Sequence, residues 1–172
     1  MNEENEIRTE PGEEKDIFDR IMSWKPLKPL WPFWQKHREV LVYLFIGGLT
    51  TLVSWIAKFL WNFAFYGGTA EPNALQNTIL SVVENTAGIA FAYPTNRKWV
   101  FRSKDPHILA ETGKFVGSRL VTMLLGWLLN LLMVNVLGVS VYVSTVIAAI
   151  AVIIGNYVIS KLLVFRKKGD GK

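Results

Sequence analysis

Polar and ionisable side chains interrupt stretches of the sequence that are otherwise apolar. Glu84 and Asn85 lie in one such stretch, and Arg119 and Asn130 lie in a later one. Ionisable groups inside a membrane helix are costly and usually mark a functional site. Together with Asn96, these residues predict a polar seam that could hold a charged or polar ligand within a bilayer.

Helical spacing places several small and polar residues of the first stretch on one face. Asn85, Gly88, Ala92 and Asn96 recur at i, i+3, i+7 and i+11, which is the spacing of a single helix face. Gly88 and Ala92 form a pair of small residues that lets a second helix approach closely. The face is therefore predicted to pack against another helix.

The later stretch carries a matching polar face. Arg119 and Asn130 share it and lie about 16 Å apart along the helix axis. If the two helices run in opposite directions, Asn96 and Arg119 lie at similar depth near one membrane surface. Glu84 and Asn130 then lie at similar depth further across, and the seam extends over much of the bilayer.

A cluster of cations follows the first stretch in "FAYPTNRKWVFRS", residues 91–103. Pro94 cannot donate a backbone hydrogen bond, so we expect it to kink or end the helix and to leave Asn96, Arg97 and Lys98 at the interface. A cation cluster there suits a lipid phosphate. Positive charge on the inner side of a membrane protein accounts for the same residues, so nucleic acid is not expected as a partner.

Each polar residue also has a structural interpretation. Asn130 or Asn156 would then hydrogen-bond between helices and hold them together. Arg119 would extend to the lipid headgroups as an anchor. Glu84 lies close enough to the outer surface to be a solvated or paired structural group.

Four stretches are long enough to cross a bilayer core, which needs about 20 apolar residues. They run over residues 40–66, 77–93, 115–137 and 141–165. A soluble bundle would show polar helix faces, whereas "LVTMLLGWLLNLLMV" and "VYVSTVIAAIAVIIG" show none. Lys and Arg concentrate before the first span, between the second and third, and after the fourth. The sequence predicts an all-α, multi-pass protein of the cytoplasmic membrane with four transmembrane helices and cytoplasmic termini.

The ends of the second and fourth spans resemble each other. "YPTNRKWVFRSK" (93–104) and "YVISKLLVFRKK" (157–168) are identical at five of twelve positions. The match predicts two parallel repeats of two helices each, a construction common in transporters. Alternatively, inward-ending helices finish with aromatic and then basic residues whatever their ancestry.

The N-terminal region differs in composition from the rest of the chain. Residues 1–20 hold eight of the 14 acidic residues and three basic ones. Residues 1–35 are therefore predicted to form an acidic, largely disordered cytoplasmic tail. Apolar residues from Ile17 to Trp24 recur at helical spacing, which indicates either a short interfacial helix or a chance pattern. After this tail, the sequence predicts a membrane domain over residues 36–168 and a short C-terminal tail over residues 169–172.

Composition argues against several classes of function. The chain has no cysteine and two well-separated histidines, so no metal site is expected. Paired carboxylates and a Ser-His-Asp set are not recognisable, which argues against an enzyme. The sequence lacks a glycine-rich phosphate loop, so no nucleotide or other cofactor is expected. Four short helices enclose little volume, so we expect a homo-oligomer or a partner to complete any pathway.

Four motifs resemble the GtrA-like proteins, a family of small four-span membrane proteins in bacterial polysaccharide and cell-wall glycosylation. They are "YLFIGGLTTLVSW", "FAYPTNRKWVF", "KFVGSRLVTMLLGWLLNLLMV" and "GNYVISKLLVF", in that order. The resemblance covers about residues 37–168. Pro94 departs from the pattern, since many members have an ordinary apolar residue there.

The resemblance implies translocation, or flipping, of a polyprenyl-phosphate-linked sugar across the membrane. A polyprenyl-phosphate glycosyltransferase would attach the sugar inside, and a second glycosyltransferase would use it outside. One alternative is a membrane scaffold that recruits the first of these enzymes without transporting anything. Another is a small proton-coupled exporter of cationic drugs, which the intramembrane arginine disfavours because it would repel a cation.

The resemblance also implies site residues. The functional pattern of the family falls on Ala92, Asn96, Val100, Phe101, Arg119 and Asn130. Arg119, helped by Arg97 and Lys98, would hold the lipid phosphate. The sugar hydroxyls would be bound by Asn96, Asn130 and Glu84, with Asn85 beside them. Glu84 is also the carboxylate that would carry a proton if transport were coupled to one.

Overall fold

The computed structural model describes residues 16–165, apart from the side chains of residues 25, 26 and 28. Residues 1–15 of the predicted acidic tail, the predicted C-terminal tail and the last positions of the second repeat lie outside this range. The chain divides into two compact units, which meet in sequence between Val42 and Tyr43. Each unit is described separately.

The first unit contains a short helix before the first long one. α1 spans Ile17–Met22, and the Asp16 carboxylate caps it by accepting from the backbone N–H of Phe18 and Asp19. A 3₁₀ segment over Lys25–Leu30 leads into α2, Trp31–Tyr66. α2 therefore begins before residue 36, the predicted start of the membrane domain, since the interfacial residues "LWPFWQKHRE" join the same helix.

Side-chain contacts hold α1 against the start of α2. The buried Asp19 carboxylate accepts from Trp34 Nε1 and from Arg38 Nε, each over 3.0 Å. Arg38 also pairs with Asp16. The helical spacing of Ile17 and Ile21 thus corresponds to a real helix, on which both side chains are exposed. Whether that helix lies in a membrane interface stays a prediction.

The second unit contains the rest of α2 and three further long helices. These are α3 (Ala74–Thr95), α4 (Ile108–Leu131) and α5 (Val141–Ile159). Gly67 and Gly68 turn the chain after α2 with φ angles of 65° and 74°, which glycine adopts without strain. Asn73 and Gln76 then form a reciprocal capping box that starts α3.

Three helical stretches in the described residues are long and apolar enough to cross a membrane. They are Trp31–Tyr66, Ile108–Val136 and Val141–Val164. The three correspond to the predicted first, third and fourth spans. α3 has 22 residues, or about 33 Å, but its polar residues keep it out of this group. The all-helical membrane architecture is confirmed to this extent, and the crossing of α3 stays a prediction.

A wider π-helical turn ends each of α3, α4 and α5. The turns span Asn96–Val100, Leu132–Val136 and Ser160–Val164. Pro94 was expected to kink or end its helix, and α3 does end at Thr95, where the π turn takes over as far as Val100. The Thr95 hydroxyl bonds to the Phe91 and Ala92 carbonyls nearby. Both carbonyls lie in the helical turn that contains Pro94.

Glycine permits close helix approach at two places. Gly88 of α3 lies against Ser54 of α2, where an added Cβ would come within 2.5 Å of the serine Oγ. Gly126 of α4 lies against Val152 of α5, where an added Cβ would come within 2.5 Å of a valine methyl group. Valine cannot easily rotate away because its χ1 is restricted in a helix. The α4–α5 contact therefore requires glycine at 126.

We expect Gly126→Ala to destabilise the protein by about 1–3 kcal/mol, because the new methyl group overpacks the α4–α5 contact. Gly117→Ala is the matched control. It lies on the same helix with no heavy atom within 4 Å of the added Cβ. Thermal unfolding of the detergent-solubilised full chain measures both. The packing explanation fails if the two variants have the same melting temperature, or if Val152→Ala does not rescue Gly126→Ala.

Candidate functional site

Asn96 begins the α3 π turn and is almost fully buried, with 2% of its surface exposed. Its carbonyl accepts from the Phe101 N–H over 2.9 Å, which closes the turn. Its side-chain Oδ1 has no hydrogen-bond partner among the described residues. A buried acceptor without a donor is costly, so this atom is suited to a donor from a bound molecule.

Arg119 lies on α4 against aromatic side chains. Its guanidinium carbon is 4.9 Å from the centroid of the Phe115 ring, a cation–π distance. The guanidinium also interacts electrostatically with the Tyr43 hydroxyl. Its Nε is buried without a hydrogen-bond partner, and no carboxylate within residues 16–165 forms an ion pair with it. The side chain therefore retains capacity to bind an anion.

Stacked rings join the α3 and α5 π turns near Arg119. The Phe101 and Phe165 rings lie 4.8 Å apart with an interplanar angle of 17°. Phe115, which contacts Arg119, lies 5.9 Å from Phe165. Val100 and Val164, which precede the two stacked rings in sequence, are both buried. Offset or tilted aromatic pairs of this kind add stability beyond simple burial. This aromatic cluster fixes the positions of the turn that carries Asn96 and of the helix that carries Arg119.

Arg97 contacts a carboxylate and a backbone carbonyl of the protein itself. Its Nε lies 2.9 Å from Glu111 Oε1, a charge contact in which the N–H is not aligned for a hydrogen bond. A terminal nitrogen donates to the Asp105 carbonyl. Glu111 is only 3% exposed and also accepts from Tyr93 and Ser103. Arg97 is therefore a structural cation, unlike Arg119.

Glu111 is the residue of this region that the sequence analysis missed. It lies in the first turn of α4, beyond a polar loop, where an acidic residue is ordinary. The sequence did contain a signal for this ion pair, since Arg97 and Glu111 carry opposite charges on either side of the loop that joins α3 to α4. Lys98, the other predicted helper, is exposed and lies over the Trp99 ring at 5.5 Å.

The remaining predicted residues are distributed along the helices. Glu84 forms an ion pair with Lys58 of α2 at 2.8 Å. Asn85 is exposed and donates to the Ser81 carbonyl of its own helix, so it does not share the buried face of Gly88 and Ala92.

The predicted asparagines of α4 and α5 both lie where these helices meet. Asn130 is half-buried, and its backbone carbonyl accepts a hydrogen bond from the Ser144 hydroxyl over 3.4 Å. Asn156 is buried and accepts from the Thr122 hydroxyl over 2.6 Å. Asn156 therefore joins α4 to α5 through this hydrogen bond. Within residues 16–165, no three His, Asp or Glu side chains are grouped to hold a metal.

A comparison of the sequence with known protein families identifies the family of the chain. The model described as "GtrA/DPMS, transmembrane domain" matches residues 42–165. The chain belongs to this family. The resemblance to GtrA-like proteins is thereby confirmed, over slightly less of the chain than the 37–168 expected. The chain is a membrane protein with several apolar helices.

Two bacterial proteins are similar to the chain over most of its length. The chain is 29% identical over 157 residues to the cell wall teichoic acid glycosylation protein GtcA of Listeria monocytogenes serovar 1/2a, covering 87% of this chain and 99% of the relative. It is 31% identical over 135 residues to GtcA of Listeria innocua serovar 6a, covering 74% and 85%. No solved structure matches the chain.

We expect Thr122→Val to destabilise the protein by about 1–3 kcal/mol, because it leaves the buried Asn156 Oδ1 without its donor. Thr145→Val is the matched control, since that exposed hydroxyl bonds only to the Val141 carbonyl of its own helix. Thermal unfolding in detergent compares them. Equal melting temperatures would show that the hydrogen bond between α4 and α5 contributes nothing.

Proposed function

We propose that the chain translocates a polyprenyl-phosphate-linked sugar across the cell membrane for glycosylation of a cell-wall or cell-surface polymer. Membership of the GtrA family and the names of the GtcA relatives support a role in cell-wall glycosylation. The observation that carries the translocation proposal is Arg119. It is a partly buried cation on a predicted membrane helix, and no described carboxylate pairs with it.

In the proposed mechanism, Arg119 binds the lipid phosphate. A charged phosphate cannot cross about 30 Å of hydrocarbon without compensation, and a guanidinium supplies both charge and directional donors. The aromatic cluster beneath Arg119 excludes water and keeps the cation attractive to an anion. Asn96 supplies a buried amide in the neighbouring turn for the sugar hydroxyls, with Asn130 further along α4.

The two helix pairs are proposed to be parallel repeats. Tyr93 precedes the α3 π turn and Phe101 closes it, as Tyr157 precedes and Phe165 closes the α5 turn. Phe101 and Phe165 stack on each other, so equivalent positions of the two copies are in contact. Both π turns, and both termini of the chain, are proposed to lie at the cytoplasmic surface. α3 then crosses the membrane as the second of four spans.

A polyprenyl-phosphate glycosyltransferase is the proposed partner. It would deliver the loaded lipid at the cytoplasmic surface, where Lys98 is exposed for the first contact with the phosphate. A second copy of the chain would widen the enclosed pathway. The scaffold alternative assigns the same surface to recruitment alone and gives Arg119 no transport role.

We expect Arg119→Ala to lower the rate at which inner-leaflet sugar becomes accessible outside by at least about 10-fold, because a charge-assisted contact to phosphate is lost. The assay uses proteoliposomes loaded with a polyprenyl-phosphate hexose and an impermeant reagent. Lys114→Ala is the control, since it removes an exposed cation from the same helix.

Each result separates the transport and scaffold proposals. Fast exposure with wild type and Lys114→Ala, but not with Arg119→Ala, supports transport with phosphate binding at Arg119. Transport by wild type and Arg119→Ala at equal rates removes the arginine from the mechanism. If wild type gives no exposure even with the glycosyltransferase added, the scaffold is the better account.

The proposed topology is testable because the chain contains no cysteine. In intact cells, we expect an impermeant maleimide to label Glu71→Cys in the α2–α3 loop. Lys104→Cys in the α3–α4 loop should react only after permeabilisation. Both positions are exposed, so accessibility depends on the side of the membrane. Equal labelling of the two in intact cells would contradict a membrane crossing by α3.

A further inference from the structure

A cavity lies where α2 and α3 are joined, away from the aromatic cluster. It has a volume of about 590 Å³, within the range of small-molecule sites. Its lining comes from the last turns of α2, the connecting loop and the first turns of α3, and includes Trp55, Lys58, Phe59, Asn62, Thr69 and Asn77. None of these residues belongs to the site proposed around Arg119.

The cavity and Asn96 lie at opposite ends of α3. Asn77 lines the cavity, and Asn96 follows the last residue of the same helix. The rise of an α-helix separates the two positions by about 28 Å, close to the thickness of a bilayer core. If the Asn96 end is cytoplasmic, as proposed above, then the cavity opens near the outer surface.

Aromatic and amide groups together give the cavity its chemistry. Trp55 and Phe59 are four residues apart on α2, so their rings share one helix face. Both are strongly exposed, Trp55 at 62%. Asn62 donates to the Thr69 carbonyl over 3.0 Å, while its Oδ1 is buried without a partner among the described residues. Apolar faces beside amide donors and acceptors match a sugar, which has C–H faces and a rim of hydroxyls.

The charges at the cavity favour a neutral ligand. Among the described lining residues, Lys58 is the charged one. Its Nζ lies 2.8 Å from Glu84 Oε2, so its charge is already neutralised. An anion would have to displace Glu84 from the lysine, whereas a hydroxyl can bond to either partner without separating them.

We propose that this cavity is an outward-facing site for the neutral sugar head group of the lipid-linked substrate. The inference rests on the proposed translocation and deepens it, because it gives the sugar a second binding position after crossing. The phosphate stays outside the cavity at the level of the lipid headgroups. Trp55 and Phe59 pack against the sugar ring, and Asn62 and Asn77 bond to its hydroxyls.

A protection experiment on the full chain tests the assignment. Ala70→Cys places one thiol at the cavity, in a chain without cysteine. The protein is held in lipid nanodiscs and labelled with a maleimide in the presence of a polyprenyl-phosphate hexose, polyprenyl phosphate alone or a methyl hexoside. We expect the hexose lipid to slow labelling at least about 5-fold at saturation and the other two molecules to have no such effect at equal concentration, because the lipid concentrates the sugar at the membrane.

Tryptophan variants link the protection to the cavity wall. Adding Trp55→Ala should lower the affinity of the protein for the hexose lipid about 10-fold, since a stacked aromatic contact is lost. Protection of the thiol then needs about 10 times more lipid. Trp127→Ala is the matched control, because Trp127 is 59% exposed on α4 and is not among the lining residues. Trp55→Phe retains a ring and should recover most of the protection.

Several results would overturn the proposal. Equal slowing by polyprenyl phosphate alone would show that the lipid, not the sugar, occupies the site. Equal slowing by the methyl hexoside would assign the cavity to a sugar that is not lipid-linked. No slowing by any of them, while wild type translocates the sugar, would reject the cavity and leave the proposed function standing. Sugar-dependent protection in a protein that does not translocate would support the cavity and reject the flippase.

Discussion

The proposed site depends on the placement of the Arg119 guanidinium, which lies against an aromatic ring and has no carboxylate partner among the described residues. Arg38, Lys58 and Arg97 each have an acidic partner among the described residues, so their charges are balanced within the chain. Arg119 instead contacts an aromatic ring and a tyrosine hydroxyl. A cation in a medium of low dielectric constant attracts an anion more strongly than one in water. Among the described residues, Arg119 is thus a partly buried cation without a carboxylate partner, which is the basis of the proposed phosphate site.

The π turns explain how the backbone positions this arginine. A π turn widens the helix and is frequently found at functional sites. Here two such turns bring Phe101 and Phe165 into a stack, and Phe115 packs against that stack below Arg119. A displacement of Phe101 or Phe165 would shift the Phe115 ring, which lies under the Arg119 guanidinium. Val100 and Phe101 therefore act through packing, and the same geometry explains why Asn96 is buried although it lies in a polar segment.

Local sequence patterns predicted the helices much better than the contacts between them. Uninterrupted apolar runs identify α2, α4 and α5 because lipid solvates every face of a membrane helix. Residues 93–104 and 157–168, which resemble each other, contain two π turns that were not predicted, since turn width depends on tertiary packing. The expected end of a helix near Pro94 falls at Thr95, whereas the π turn that follows was not predicted. The pairing of Arg97 with Glu111 needs the loop conformation, which residue spacing does not specify.

The two ends of α3 differ in a way that suits a substrate with two parts. Near one end lie the buried Asn96 amide and Arg119 of α4, a cation with no carboxylate partner in residues 16–165. Near the other end lies the Lys58–Glu84 ion pair, beside aromatic rings and amides. Between them, the small residues Gly88 and Ala92 are buried. A single site that bound both phosphate and sugar tightly would trap the substrate, because release would cost all of the binding energy at once. A second position for the sugar, as proposed for the α2–α3 cavity, would divide that cost into two steps.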